Sequence, residues 1–180
     1  MERRPRVALI FTGGTIDSVG VDRLDLAFYI EAGKRLEDGE LVARIPELAS
    51  IADVEEIPFR RLPSQSIQDR DLFDLVALIH TIFDEDRADG VVITHGTNTL
   101  EETAYFLHLT VKRDRPVVIV GAMRPDDELC RRAAPHIALK HFIGIVEVGN
   151  DQREAGEVTG QTFVKLAIAS EEACQRPRFD

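Results

Sequence analysis

The stretch Gly90-Val91-Val92-Ile93-Thr94-His95-Gly96-Thr97-Asn98-Thr99-Leu100-Glu101-Glu102-Thr103 constrains the fold of this chain more than any other. A short β-branched apolar run ends in hydroxyls and an imidazole, crosses one glycine and enters a segment whose Leu100, Ala104, Leu107 and Val111 recur at helical spacing. Thr99 and Glu102 fit the Ser/Thr-x-x-Glu capping box. The pattern predicts a buried strand running into a helix N-terminus. The carboxyl ends of such strands are where open α/β sheets bind ligands, and a first helical turn offers unpaired N–H groups to an anion. Threonine hydroxyls crowded there are candidate nucleophiles.

The rest of the chain alternates in the same way. Arg6 to Thr12 reads as a first buried strand, closed by Gly13-Gly14 and followed directly by Thr15. From Gly20 to Gly39 the pattern is weak and charged, which predicts a long loop with a helical turn near Leu26 to Ile30 and, from Phe28-Tyr29, a lid. A short amphipathic helix is expected over Glu40 to Leu48, interrupted by Pro46, and a second strand over Asp53 to Pro58. Pro63 to Ser66 is a polar strand-end loop; Ser66 with Asp69 suggests a helix cap, before an apolar face of Leu72, Leu75, Val76, Ile79 and Phe83. A fourth strand is expected over Pro116 to Val120, a helix over Asp126 to Lys140 and a fifth strand over Ile143 to Val148. Beyond Gly149 the chain is polar, with a short apolar patch around Phe163 to Ala169. Strands alternating with helices predict an α/β fold: a flavodoxin-like parallel sheet with helices on both faces, in the order 2-1-3-4-5. That order sets the polar ends of the first and third strands side by side.

A length of 180 residues fits one domain, expected over 1–180. The formal charge of -10 argues against nucleic-acid or anionic-membrane partners, and the arginine clusters at 3, 4 and 6, at 60 and 61, and at 131 and 132 carry no interleaved aromatics. Cys130 and Cys174 are too few for a disulfide framework or a zinc site. No apolar run has signal-peptide or membrane-spanning form, so a cytoplasmic location is expected.

The chemistry narrows by elimination. The Gly13-Gly14 turn lacks the spacing of the phosphate-cradling loops, and no Gly-x-Ser-x-Gly elbow exists. The histidines at 80, 95, 108, 136 and 141 form no metal-binding pattern, and His80 and His108 fall in helices with no catalytic role. Thr15 and Thr97 remain, each on a glycine turn at adjacent strand ends. A hydroxyl needs a base or a cation to take its proton, and Tyr29, Lys140 and Lys165 are the candidates by type.

Three blocks carry a resemblance: Phe11-Thr12-Gly13-Gly14-Thr15-Ile16, then Ile93 to Ala104, then Pro116 to Pro125 with its Gly-Ala-Met-Arg-Pro ending. In kind, order and approximate spacing they resemble the bacterial-type L-asparaginase family, over about residues 5 to 125. The resemblance implies the amino-terminal α/β domain of that family, without its second domain, and hydrolysis of L-asparagine to L-aspartate and ammonia by a threonine nucleophile. It implies no metal or other cofactor, and a homo-oligomer. Thr15 matches the nucleophile, Tyr29 the loop tyrosine that assists it and Thr97 the second catalytic threonine. Ser64 and Gln65 match the pair that holds the substrate's α-carboxylate and amino groups. Gly14, Gly96 and Ala122 lie in blocks whose backbone reaches the substrate.

The chain departs from the family pattern at two site positions and lacks the family's Ser-x-Asp-Gly signature between Asp126 and His141. Asn98 stands where an aspartate is expected in the substrate site, and Gly160 where the catalytic lysine is expected; Lys165, five residues on, is the candidate substitute. An asparaginase-like amidohydrolase is therefore expected first. A catalytically impaired relative that binds a small amino acid or amide is the alternative, and a phosphate-binding flavodoxin-like module a third.

Overall fold

The computed structural model describes residues 3–22, 25, 28–29 and 33–122, and the backbone course of 142–148. The helix expected over 126–140, the apolar patch at 163–169, and Lys140 and Lys165 lie outside the described residues.

Strands β1 (Arg6–Phe11), β2 (Asp53–Pro58), β3 (Gly90–Thr94), β4 (Val117–Ala122) and β5 (Phe142–Val148) form one sheet in the order β2-β1-β3-β4-β5. The first four are parallel, as expected. The fifth is not: β5 runs antiparallel to β4, with Ala122 opposite Phe142 and Val117 opposite Val148. An apolar strand reads the same in either direction, and its direction is decided by the end of the sheet at which the chain returns. Here β5 starts beside the end of β4, which makes it an antiparallel edge on a parallel sheet.

Among the described residues four α-helices accompany these strands: α1 (Glu40–Ala43), α2 (Leu48–Ile51), α3 (Asp69–Asp84) and α4 (Leu100–Thr110). The segment around Pro46 separates α1 from α2, where one interrupted helix was expected. Side chains alternate across a strand, so Ala8 and Ile10 pack with Leu75, Ile79 and Ile82 of α3 and Leu100, Ala104 and Leu107 of α4. Val7, Leu9 and Phe11 point the other way, against Leu48, Ala52, Val92, Val118 and Val120, with Leu41 and Val42 of α1 alongside. Helices thus cover both faces, which is why β1, β3 and β4 are almost uniformly apolar.

Both helix caps differ from expectation. The capping box of α3 is Gln68 with Asp71, whose carboxylate accepts from the Gln68 N–H at 2.9 Å, because Ser66 is held in a 3-10 turn over Ser64–Ser66. Thr99 is the N-cap residue of α4, but it makes no side-chain cap. Its hydroxyl donates instead to the carbonyl of Ser64 at 3.1 Å and ties two strand-end loops together. Among the described residues no helix is long and apolar enough to cross a membrane.

Candidate active site

The carboxyl ends of β1, β2 and β3 meet backbone to backbone. Gly14 has φ 108°, a conformation that L side chains rarely adopt, and a Cβ there would lie 2.5 Å from the Gly96 Cα. A Cβ on Gly96 would lie 2.6 Å from the Ser64 Oγ. Two missing side chains therefore let three loops stack. The Thr12 hydroxyl and backbone N–H both donate to the Thr94 carbonyl, at 2.8 and 3.1 Å, and hold the ends of β1 and β3 in line.

The loops enclose a crevice of about 280 Å³. Gly14, Thr15, Tyr29, Ser64, Gln65, Gly96, Thr97 and Asn98, all expected at the site from sequence, line it. Ala122, also expected, is at the end of β4 and is not among the lining residues; one strand separates it from β1. Lys165 lies outside the described residues. Thr15 opens a 3-10 turn over Thr15–Asp17, and its Oγ1 is 3.2 Å from the Tyr29 hydroxyl. Across the crevice, the Asn98 Nδ2 donates to the Gln65 Oε1 at 3.1 Å.

Two cations at the crevice escaped the sequence reading. Residues 17–19 and 34–36 form a short antiparallel ribbon: the Leu36 N–H donates to the Asp17 carbonyl at 2.8 Å, the Val19 N–H to the Lys34 carbonyl at 2.9 Å, and Ser18 bridges Arg35. The ribbon delivers Lys34 and Arg35 to the lining. Under it Asp17 is 1% exposed, its Oδ2 3.6 Å from the Arg35 Nη1. Burial pushes the Asp17 carboxyl above its ordinary range, against the opposing charges of Arg35 and Arg61. Arg61 secures the ribbon from the β2 side, donating to the Leu36 carbonyl at 2.7 Å and stacking over the Phe11 ring at 5.4 Å. Nothing local in residues 17–19 or 34–36 announces this ribbon, because its two edges are distant in sequence and pair only in the fold.

The family model described as the N-terminal domain of asparaginase matches residues 6–135. The chain belongs to the asparaginase family. It is 43% identical over 119 residues to the glutaminase-asparaginase of Pseudomonas fluorescens biotype A, covering 66% of this chain and 32% of that protein. To L-asparaginase 2 of Escherichia coli (strain K12) it is 44% identical over 125 residues, covering 69% of this chain and 34% of the relative. A crystal structure of a probable cytoplasmic L-asparaginase from Campylobacter jejuni superposes with a TM-score of 0.63 at 39% identity, over 68% of this chain and 36% of that one. The chain thus spans about a third of the length of these relatives.

In this asparaginase-family chain the floor of the Gly96 turn is a histidine that a search for metal-ligand spacing passes over. His95 is fully buried; its Nδ1 is 2.7 Å from the Gly96 carbonyl and its Nε2 3.1 Å from the Thr103 Oγ1. A carbonyl oxygen only accepts, so Nδ1 carries the proton and Nε2 accepts from the threonine hydroxyl. Burial lowers the His95 pKa, favouring the neutral ring. The imidazole braces the link between β3 and α4 from below, while Thr97 and Asn98 face the crevice. The one legible signal is its place: a polar residue directly after an apolar strand and before a glycine.

Proposed function

We propose that this chain is an amidohydrolase that converts L-asparagine to L-aspartate and ammonia through an acyl-threonine intermediate on Thr15. The observation that carries this function is the Thr15 hydroxyl 3.2 Å from the Tyr29 phenol, at the crevice where the glycine turns of β1 and β3 touch. The Thr15 Oγ attacks the side-chain amide carbon, and the Tyr29 oxygen relays its proton toward the departing ammonia. Backbone N–H groups of the strand-end turns stabilise the oxyanion, which costs no reorganisation because glycine has already fixed their geometry. Ser64, Gln65 and Asn98 hold the α-carbon end of the substrate. Thr97 orients the water that releases aspartate, and Lys165 assists the proton transfers. Gly14, Gly96 and Ala122 contribute backbone. Membership of the asparaginase family supports this assignment, as does an α/β scaffold whose strand ends converge on the crevice. A homo-oligomer in the cytoplasm is part of the same proposal.

The test is ammonia release from L-asparagine and L-glutamine by the purified chain, beside Thr15→Ala. Turnover in the parent, lowered roughly a thousandfold or more in the variant, is expected. Calorimetric binding without turnover would establish the second function instead, an impaired relative that only binds a small amino acid or amide. Asn98 and Gly160, standing for the expected aspartate and lysine, favour that second function.

A further inference from the structure

The charges around the crevice bear on which amide it takes. Lys34 and Arg35 both line it, and among the described residues no carboxylate does. Asp17, the acid beside Arg35, is 1% exposed and lies beneath the ribbon, outside the lining. Asn98 and Gln65, in the same lining, are neutral amides that spend a donor and an acceptor on each other. A carboxylate entering this crevice meets Lys34 and Arg35, the latter partnered from beneath by Asp17, whereas an ammonium meets the same two cations and, among the described lining residues, only neutral acceptors. A neutral oxygen can accept from an ammonium but brings no opposite charge to offset the repulsion of nearby cations.

We propose that the crevice selects ω-amides of dicarboxylic acids that lack an α-ammonium group, such as succinamate, over free L-asparagine, with Lys34, Arg35 and the neutral Asn98 setting that choice. The proposal rests on the amidohydrolase function above, keeping L-asparagine as a substrate but ranking the amides without an α-ammonium group ahead of it. The chemistry is unchanged: the C–N bond of the amide breaks, water supplies hydroxyl to the acyl carbon and a proton to the departing ammonia, and succinate is released. The site tells the two substrates apart by the group on the α-carbon, since both carry the same amide and the same carboxylate.

The experiment compares kcat/KM for succinamate and L-asparagine in the full chain, in Asn98→Asp and in Lys34→Met. The parent is expected to favour succinamate by roughly tenfold or more, Asn98→Asp to move the ratio toward asparagine by a similar factor, and Lys34→Met to shrink it. Equal rates, or a preference for asparagine in the parent, overturn the proposal and leave the amidohydrolase function standing. If neither amide is turned over, that function fails, and calorimetry with succinate and L-aspartate on the same samples decides the selectivity. Tighter binding of succinate sustains it; equal or tighter binding of aspartate, or no binding of either, overturns it.

Discussion

Gly14 and Gly96 face each other so closely that a Cβ on the first would come within 2.5 Å of the Cα of the second. The contact is what brings the Thr15 turn against the Thr97 turn, so the crevice depends on two absent side chains. Gly14→Ala must relieve both that clash and a φ of 108°. It is expected to cost about 2 kcal/mol or more in urea unfolding and to lower any amidase turnover by more than the stability loss accounts for. Unchanged stability and turnover would show that the two turns can separate freely.

Tyr29→Phe removes the hydroxyl 3.2 Å from the Thr15 Oγ1 and keeps the ring. If the phenol relays the nucleophile's proton, kcat falls by roughly a hundredfold while KM changes little. Thermal unfolding should move hardly at all, since the ring remains. A loss confined to KM would instead make Tyr29 a binding contact.

His95 links stability to pH. Its folded-state pKa lies below the ordinary value of 6.5 because burial disfavours the imidazolium, so the unfolded chain binds this proton more readily. Its contribution is complete above about pH 6.5 and declines as pH falls below that value toward the depressed folded pKa. His95→Gln should flatten that part of the profile. His95→Ala, which also strands the Gly96 carbonyl and the Thr103 hydroxyl, is expected to cost about 2 to 4 kcal/mol. Urea midpoints at a series of pH values read both effects.

Asp89 acts in the acid range. Burial opposes its ionisation, but the Arg6 side chain at 2.9 Å, the Arg6 backbone N–H at 2.7 Å and Arg3 at 3.0 Å outweigh it and hold the carboxyl at about 2. A depressed carboxylate contributes stability that is present above its unfolded pKa, near 3.8, and is lost as pH falls through about 2. Asp89→Asn should therefore cost about 2 kcal/mol at neutral pH, and the difference from the parent should vanish as pH approaches 2. A constant difference across that window would assign the loss to packing.

The residue pattern carried much of this molecule on its face. Runs such as Val7 to Phe11 and Val91 to Ile93 are apolar on both faces of a strand, which identifies a sheet covered on both sides. The glycines after β1 and β3 mark the turns, and the strand order follows from the handedness of the crossovers. The threonines on those turns were legible for the same reason.

What the linear chain by itself determined, then, is which segments are strands, the order in which they pair, and that hydroxyls collect at one end of the sheet, because periodicity and crossover handedness are local or nearly local rules. Only the tertiary structure decided that β5 runs backwards, that the Thr99 hydroxyl leaves its own helix for Ser64, that His95 underpins the turn, and that Lys34 and Arg35 reach the crevice. Each of these depends on a partner distant in sequence or on the end of the sheet at which the chain returns. No local propensity records either one.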